Sequence, residues 1–424
     1  MLQARLAGDD YTENLLETAL AAAPLSPPDR GLCQELVYGI VRQQLALDWL
    51  IARKTNGRPQ KATLQLLLQL GLYQIFWLDR IPDHAAVNET VELAKRAGFN
   101  TQAGFINAVL RGYLREVAGT KKLLAELQTK QPWLGYSHPE WLVSRWQQRW
   151  GNDRTAQLLA WNNTPPRTYG RVNTLKYSGT KESPADLLRA KWRHEHVEAE
   201  FLTRDWTGEN LAFELKEHPP LATLESFAQG RFYIQDPSTL LAVRALDPKP
   251  GETVLDLCAA PGGKTTFIAQ RMNNHGRLLA SDFSADRMKL VAQNCERLGV
   301  TCVEVTSPAA FDDLAAQCDK VLLDAPCSNT GVMRRRVDLR WRVSAEEIKR
   351  LRIAQRDLLN QAAPLVKPGG VLVYSTCSLE PEENSGVVKE FLAANADFKL
   401  ERERELIPFV DGVDGAFVAR LVKP

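Results

Sequence analysis

The chain of 424 residues is long enough for two or three domains of ~150 residues and for several buried cores. Its 44% hydrophobic and 25% charged residues exclude a largely disordered, collagenous or coiled-coil chain. With 53 basic and 51 acidic residues the formal net charge is +2, so no partner that demands a strongly basic protein overall is indicated, only local patches.

The N-terminus, MLQARLAGDDYTENLLETAL, lacks a basic stretch followed by an unbroken apolar run and does not read as a signal peptide. No segment offers the ~20 apolar residues of a membrane span, so a cytoplasmic chain with reduced thiols is expected. Apolar residues recur at three- and four-residue spacing over 11–23, 32–52, 61–77, 85–97 and 101–115. Pro24, Pro27 and Pro28 separate the first two stretches, and Asp29 follows as the expected N-cap. Strand patterns are missing, so residues 1–130 predict an all-α bundle.

Residues 131–235 predict a small α+β connecting region. It opens with Trp133, Trp141, Trp146, Trp150 and Trp161. Such aromatics can stack on nucleic-acid bases. Packing between domains is the commoner use of large aromatics and is the expectation here. Short strand and helix patterns follow at 167–173, 184–193 and 232–234.

Residues 236–424 change period. Strand-like runs at 253–258, 277–282, 301–305, 320–324 and 370–375 alternate with helical runs, and 414–423 reads as a last strand. Short buried strands alternating with helices imply a doubly wound, Rossmann-like α/β sheet. Its first strand runs into LDLCAAPGGKT, Leu255–Thr265. A phosphate loop fails here because Cys258 holds the position of its first glycine, and the dinucleotide pattern GxGxxG is absent. S-adenosyl-L-methionine is the third ligand that such a turn can take. Asp282, about 20 residues on at the end of the next strand, supports it, since a carboxylate there can bind both ribose hydroxyls. Taken alone, Asp282 could equally cap the following helix.

Asp324-Ala325-Pro326-Cys327-Ser328 and Ser375-Thr376-Cys377-Ser378 end two later strands. Ligands of open α/β sheets lie beyond the carboxyl ends of strands, so the two thiols are expected to share one site. A lone buried cysteine is usually a small core hydrophobe; two at equivalent strand ends are harder to dismiss. Pyrimidine C5 is a poor nucleophile, and a thiolate added at C6 turns it into an enamine-like carbon that can attack a sulfonium methyl. A second polar group can then assist release. Asp324 can accept from a cytosine N4 amine, or donate to N3 if protonated.

CAAPGGKT at Cys258–Thr265, Asp282, DAPCS at Asp324–Ser328, TCS at Thr376–Ser378 and PEEN at Pro381–Asn384 together resemble the RNA 5-methylcytosine methyltransferases, over about residues 232–424. The N-terminal helices resemble the RNA-binding fold of the antitermination factor NusB, a pairing similar to the bacterial small-subunit ribosomal RNA enzymes of that family. The resemblance implies a class I methyltransferase sheet, S-adenosyl-L-methionine as cofactor and 16S ribosomal RNA as partner. It implies that Cys377 is the nucleophile and that Cys327 assists product release. Cys258, Ala259, Ala260, Pro261, Gly262, Gly263, Lys264, Asp282 and Asp324 would contact the cofactor or the reacting base. One departure concerns the acid usual after the third strand. Val305-Thr306-Ser307-Pro308 has none before Asp312, and Ser307 or backbone would replace it. Another is Val337, where the family often has proline.

Residues 334–356 carry nine basic against three acidic residues. RNA phosphate contact is expected from Arg334, Arg335 and Arg336. The alternative is a solvated helix face with pairs such as Glu346–Arg350. Residues 1–130, with 15 basic and 13 acidic residues, owe their RNA-binding expectation to the resemblance alone. The six histidines show no triad or metal spacing, no CxxC occurs, and no metal is expected; the chain is expected to be a monomer. Alternative readings are a transfer RNA substrate, a non-catalytic RNA-binding or assembly factor, and redox sensing through Cys327 and Cys377.

Overall fold

The computed structural model describes residues 1–8, 10–307 and 311–424. Contacts divide the chain into two units. One holds Met1–Pro165 with Met333–Arg342, the other Pro166–Val332 with Val343–Pro424. The helical region therefore runs past residue 130, through the helices Val117–Lys130 and Glu140–Asn162.

In the first unit the expected helical stretch 32–52 is two helices, Pro27–Arg42 and Gln44–Thr55, with Gln43 at φ −102° and ψ 18° between them. Apolar periodicity continues across this joint, so the pattern alone hides it. Ser26, not Asp29, is the N-cap: its Oγ accepts from the Asp29 amide at 3.3 Å and donates to Asp29 Oδ2 at 2.5 Å. Pro27 and Pro28 occupy the first two helical positions, where a missing N–H costs nothing. Ile40, Leu47, Leu50, Leu68, Leu72, Ile106 and Leu110 form the core. Gly39 is required there, because a Cβ would lie 1.9 Å from the Tyr73 ring.

The segment Met333–Arg342 lies in this unit with Arg334 and Arg340 turned inward. Arg340 is fully buried and donates to the carbonyls of Arg42 at 3.1 Å, Ser137 at 3.2 Å and Asn162 at 3.0 Å, and to Asn163 Oδ1 at 2.8 Å. Burial, with Arg42 nearby, pulls its pKa down to about 9. Trp341 Nε1 donates to Val41 O at 2.8 Å, and Asp338 accepts from Arg5 Nε at 2.7 Å and from the Thr12 amide. Arg334, expected at RNA phosphates, is buried with its guanidinium 4.1 Å from the centre of the Trp161 ring. The face of the Trp161 ring presents its negative quadrupole to the cation. Arg335 is half-buried and Arg336 exposed. Trp146 is buried and Trp141 exposed.

The second unit begins with four strands, β1 (Thr168–Val172), β2 (Glu198–Leu202), β3 (Ala212–Glu217) and β4 (Phe232–Ile234), in the antiparallel order β2-β3-β1-β4. Trp192, on the helix Pro184–His194, packs edge-on to Phe213 with ring centres 4.8 Å apart. From β1, buried Arg171 donates to Gly263 O and Thr266 Oγ1, both at 3.2 Å, and so braces the glycine loop.

Seven further strands form the large sheet. They are β5 (Thr253–Leu257), β6 (Arg277–Ser281), β7 (Val303–Val305), β8 (Cys318–Asp324), β9 (Val366–Thr376), β10 (Lys399–Leu406) and β11 (Ala416–Val422). Their order is β10-β11-β9-β8-β5-β6-β7, with β5 to β9 parallel, β11 reversed, and β10 antiparallel to β11 and so again in the direction of β9. Alternate residues feed two cores. Val254, Leu278, Leu322 and Val373 face one layer of helices, and Leu255, Leu279, Leu323 and Tyr374 the other. Both faces are covered, which is why these strands read as continuous apolar runs. The chain reverses its winding between β5 and β8, so a crevice opens at their carboxyl ends.

Candidate active site

Four strand ends meet at that crevice. Beyond β5, Cys258 and Gly262 take left-handed backbone, φ 61° and 100°. A Cβ at Gly262 would stand 3.3 Å from the Val291 backbone, so the tight turn into the helix Gly263–Arg271 needs glycine twice over. The loop is largely occupied with holding itself. The Ala259 amide donates to Ser281 O at 2.9 Å, and the Ala260 amide to Asp282 Oδ2 at 3.2 Å. Pro261 O accepts from Asn294 and Gly263 O from Arg171.

Asp282 Oδ1 also accepts from the Ser284 amide at 3.1 Å. The cap of the helix Ala285–Leu298 is Ser284, so helix capping is not the work of Asp282. Oδ1 also accepts from Arg287 at 3.4 Å, and Oδ2, which accepts from the Ala260 amide, keeps a second lone pair for a ligand hydroxyl. A cavity beside it is lined by Leu257, Cys258, Ser281, Asp282, Phe283 and Phe311, with Leu358 and Gln361 closing it. Phe283 is 69% exposed, a large apolar surface left next to a carboxylate. Ser307 lies exposed after β7, and Pro308 is outside the described residues.

Asp256, on β5, is fully buried and accepts from Thr265 Oγ1 at 2.6 Å. Burial, opposed by that hydrogen bond and helped by the Asp324 charge, raises its pKa from 3.8 to about 7. The folded chain thus keeps a proton that the unfolded chain releases at lower pH. The stability of the neutral carboxyl is present below about pH 4 and is lost as pH rises through about 7. Asp256→Asn keeps the acceptor and cannot ionise. Its thermal midpoint is expected to exceed the parent's by about 5 °C near pH 8 and to match it near pH 4. Thermal unfolding at the two pH values checks this, and a difference independent of pH would refute it.

Lys264 reaches across to β8, its Nζ 2.5 Å from Asp324 Oδ2. Burial works against its charge, but Asp324 outweighs burial and lifts the Lys264 pKa above its ordinary value. Three residues on, Cys327 Sγ is 3.4 Å from Cys377 Sγ, which follows β9. Cys327 is buried and Cys377 half-buried. The hydrogen bond with Cys377, burial and the Glu383 charge all push the Cys327 thiol upward, so it stays protonated. Cys377 Sγ also donates to Asn329 Oδ1 at 2.8 Å.

Beneath the thiols, Glu383 holds both cysteine turns. Its Oε1 accepts from the Ser328 amide at 2.8 Å and from Gln355 Nε2 at 3.0 Å. Its Oε2 accepts from Ser378 Oγ at 2.5 Å and from Ser328 Oγ. Burial raises the Glu383 pKa against these hydrogen bonds. Sequence reasoning assigned no role to Glu383, Gln355, Asn329 or Phe283. Gln355 carried a signal, as a polar residue at an apolar-stripe position of the helix Ala345–Ala362, beside buried Leu351, Leu358 and Leu359. On the same helix Arg350 pairs with Glu347 rather than Glu346. Among the described residues no group of three or more His, Cys, Asp or Glu could hold a metal ion, and no helix is long and apolar enough to cross a membrane.

The strand order, the reversed strand β11 and the cavity at the switch point define a class I methyltransferase. Residues 243–421 match the family described as 16S rRNA methyltransferase RsmB/F, residues 2–115 the NusB family, and residues 138–198 the ferredoxin-like domain of RsmF/B-like methyltransferases. The chain is 39% identical over 404 residues to the probable ribosomal RNA small subunit methyltransferase B of Synechocystis sp., covering 93% of this chain and 87% of that one. It is 36% identical to ribosomal RNA small subunit methyltransferase B of Klebsiella pneumoniae, covering 94% and 91%. The crystal structure of a methyltransferase homolog protein from Pyrococcus horikoshii superposes with a TM-score of 0.59 at 33% identity, covering 69% of this chain and 97% of that one. The chain belongs to the ribosomal RNA small subunit methyltransferase B family, and it is an RNA methyltransferase.

Proposed function

We propose that the protein transfers a methyl group from S-adenosyl-L-methionine to C5 of a cytosine in 16S ribosomal RNA. The observation that carries this reading is the pair of thiols 3.4 Å apart, at adjacent strand ends beside the switch-point crevice. Cofactor use is supported by the cavity: Asp282 offers acceptors for ribose hydroxyls, while Leu257, Phe283, Phe311 and Leu358 offer apolar walls for a base. Bound there, S-adenosyl-L-methionine supplies an electrophilic methyl. Every other task falls to the chain.

Cys377, the more accessible thiol, adds through sulfur to C6, which makes C5 nucleophilic. Asp324, held by Lys264, accepts from the exocyclic amine and so selects cytosine over uracil, which offers an oxygen there. After methylation the C6–sulfur bond breaks with its electron pair returning to Cys377, which takes the Cys327 hydrogen, while the Cys327 sulfur takes up the proton that C5 loses. Cys327, next to that sulfur, assists the expulsion. The base must leave its stack to reach buried groups, which favours a single-stranded or loop target.

The test is transfer of labelled methyl to ribosomal RNA from a strain lacking the enzyme, followed by mapping of 5-methylcytosine. Label on C5 of a small-subunit cytosine is expected. Label on transfer RNA instead would move the substrate, and no label on any cytosine C5 would refute the chemistry.

A further inference from the structure

We propose that Asn329 is a latch on Cys377: its amide oxygen holds the thiol hydrogen, and the side chain must turn away before the sulfur can attack. The proposal rests on the reading of Cys377 as nucleophile. Asn329 stands two residues after Cys327 with left-handed backbone, φ 57°, a conformation asparagine tolerates better than most side chains. Its Nδ2 donates to Cys327 O at 2.6 Å, and its Oδ1 accepts from Cys377 Sγ at 2.8 Å. The amide therefore spans both cysteine turns.

This orientation is set by its neighbours. Turning the amide over would place Oδ1 against the Cys327 carbonyl, oxygen against oxygen, with no hydrogen between. An amide oxygen and a thiolate are likewise both acceptors, so the contact at 2.8 Å exists only while Cys377 carries its hydrogen. The other groups around the sulfur act differently. Cys327, from the turn after β8, can donate to it at 3.4 Å. Lys264, from the glycine loop, acts on it through its charge, partly balanced by Asp324 at the end of β8. Glu383 acts on the neighbouring Cys327 thiol, and Asp256 and Asp324 act on Lys264. Asn329 thus opposes Lys264. It keeps the sulfur in its unreactive form beside a second thiol, with which a thiolate would oxidise more readily.

The experiment is alkylation of the reduced, full-length protein by iodoacetamide without RNA, followed residue by residue by mass spectrometry across about pH 6 to 10. Asn329→Gly removes the amide and keeps the left-handed backbone. Alkylation of Cys377 at neutral pH should rise about fivefold, the factor that one hydrogen bond represents, and the profile should move to lower pH. Asn329→Asp, similar in shape but a stronger acceptor, should slow alkylation and move the profile to higher pH. An unchanged or slower Cys377 in Asn329→Gly overturns the proposal. So does a rise shared with Cys258 and Cys302, which would report a loosened fold. Methyl transfer by Cys377→Ser, measured separately, tests the nucleophile itself, so failure of that reading is told apart from failure of the latch.

Discussion

Cys327→Ala is expected to arrest the protein on its RNA as a covalent complex that survives denaturation, while Cys377→Ser forms no complex and loses methyl transfer by ~10³-fold or more. Both expectations follow from the roles that the resemblance implies, and the unequal surroundings of two sulfurs 3.4 Å apart support them. Cys327 is buried, and its hydrogen bond with Cys377, its burial and the nearby Glu383 keep it a thiol. A thiol is a weak nucleophile but can serve a neighbouring sulfur as a proton carrier. Cys377 is half-buried and faces the crevice chemistry from the end of β9. Removing Cys327 leaves addition intact and slows expulsion, so adduct accumulates. Truncating one buried CH2SH side chain to methyl costs about 1 kcal/mol, too little to unfold the domain. Denaturing electrophoresis of each variant with its RNA checks the pair. An adduct that persists in Cys377→Ser and is absent from Cys327→Ala would exchange the two roles.

Glu383→Ala should be nearly as damaging, because Glu383 holds the turns that carry the sulfurs. Its buried carboxyl accepts from the Ser328 amide, Ser328 Oγ, Ser378 Oγ and Gln355, and Ser328 and Ser378 each follow one of the cysteines. It therefore sets the spacing of the two turns. Alanine strands several buried donors at ~1–3 kcal/mol each. Stability should fall by about 3 kcal/mol and methyl transfer by ~100-fold or more. Glu383→Gln, which retains an acceptor oxygen, should recover part of both. Thermal unfolding and transfer assays measured side by side test this. Full activity in Glu383→Ala would show that the turns hold their spacing without it.

Much of the catalytic domain was legible because its signals are local. Strands buried on both faces produce unbroken apolar runs, and the turn after β5 demands glycine at fixed positions. The strand that escaped is β10, Lys399–Leu406, whose sequence KLEREREL is dominated by charge. It is an edge strand, largely exposed, so no apolar face marks its period. The helix joint at Gln43 escaped for the opposite reason, since both sides bury apolar residues in one continuous pattern. Asn329 carried no local signal, because its partner Cys377 is 48 residues away.

The basic run at 334–356 shows where local reading stops. Density of charge suggested RNA phosphates, yet Arg334 and Arg340 are buried in the first unit, one on Trp161 and the other among backbone carbonyls. Arg336 is exposed. A guanidinium can be neutralised by dipoles as well as by anions, and nothing in its own segment says which it will meet.

The sequence by itself determined the doubly wound sheet, the glycine loop, the acidic residue after β6 and the two cysteines, because each depends on period or spacing within one strand-turn unit. Near-neutral net charge already made a wholly basic RNA binder unnecessary, and seven cysteines, an odd number without a CxxC pair, made a disulfide framework unnecessary. Tertiary structure alone decided that the thiols lie within 3.4 Å, that Glu383 and Asn329 hydrogen-bond to the cysteine turns, and that the arginines of the basic run divide between interior and surface. These depend on through-space contacts between distant segments, where burial and hydrogen-bond partners, rather than residue type, set each group's chemistry.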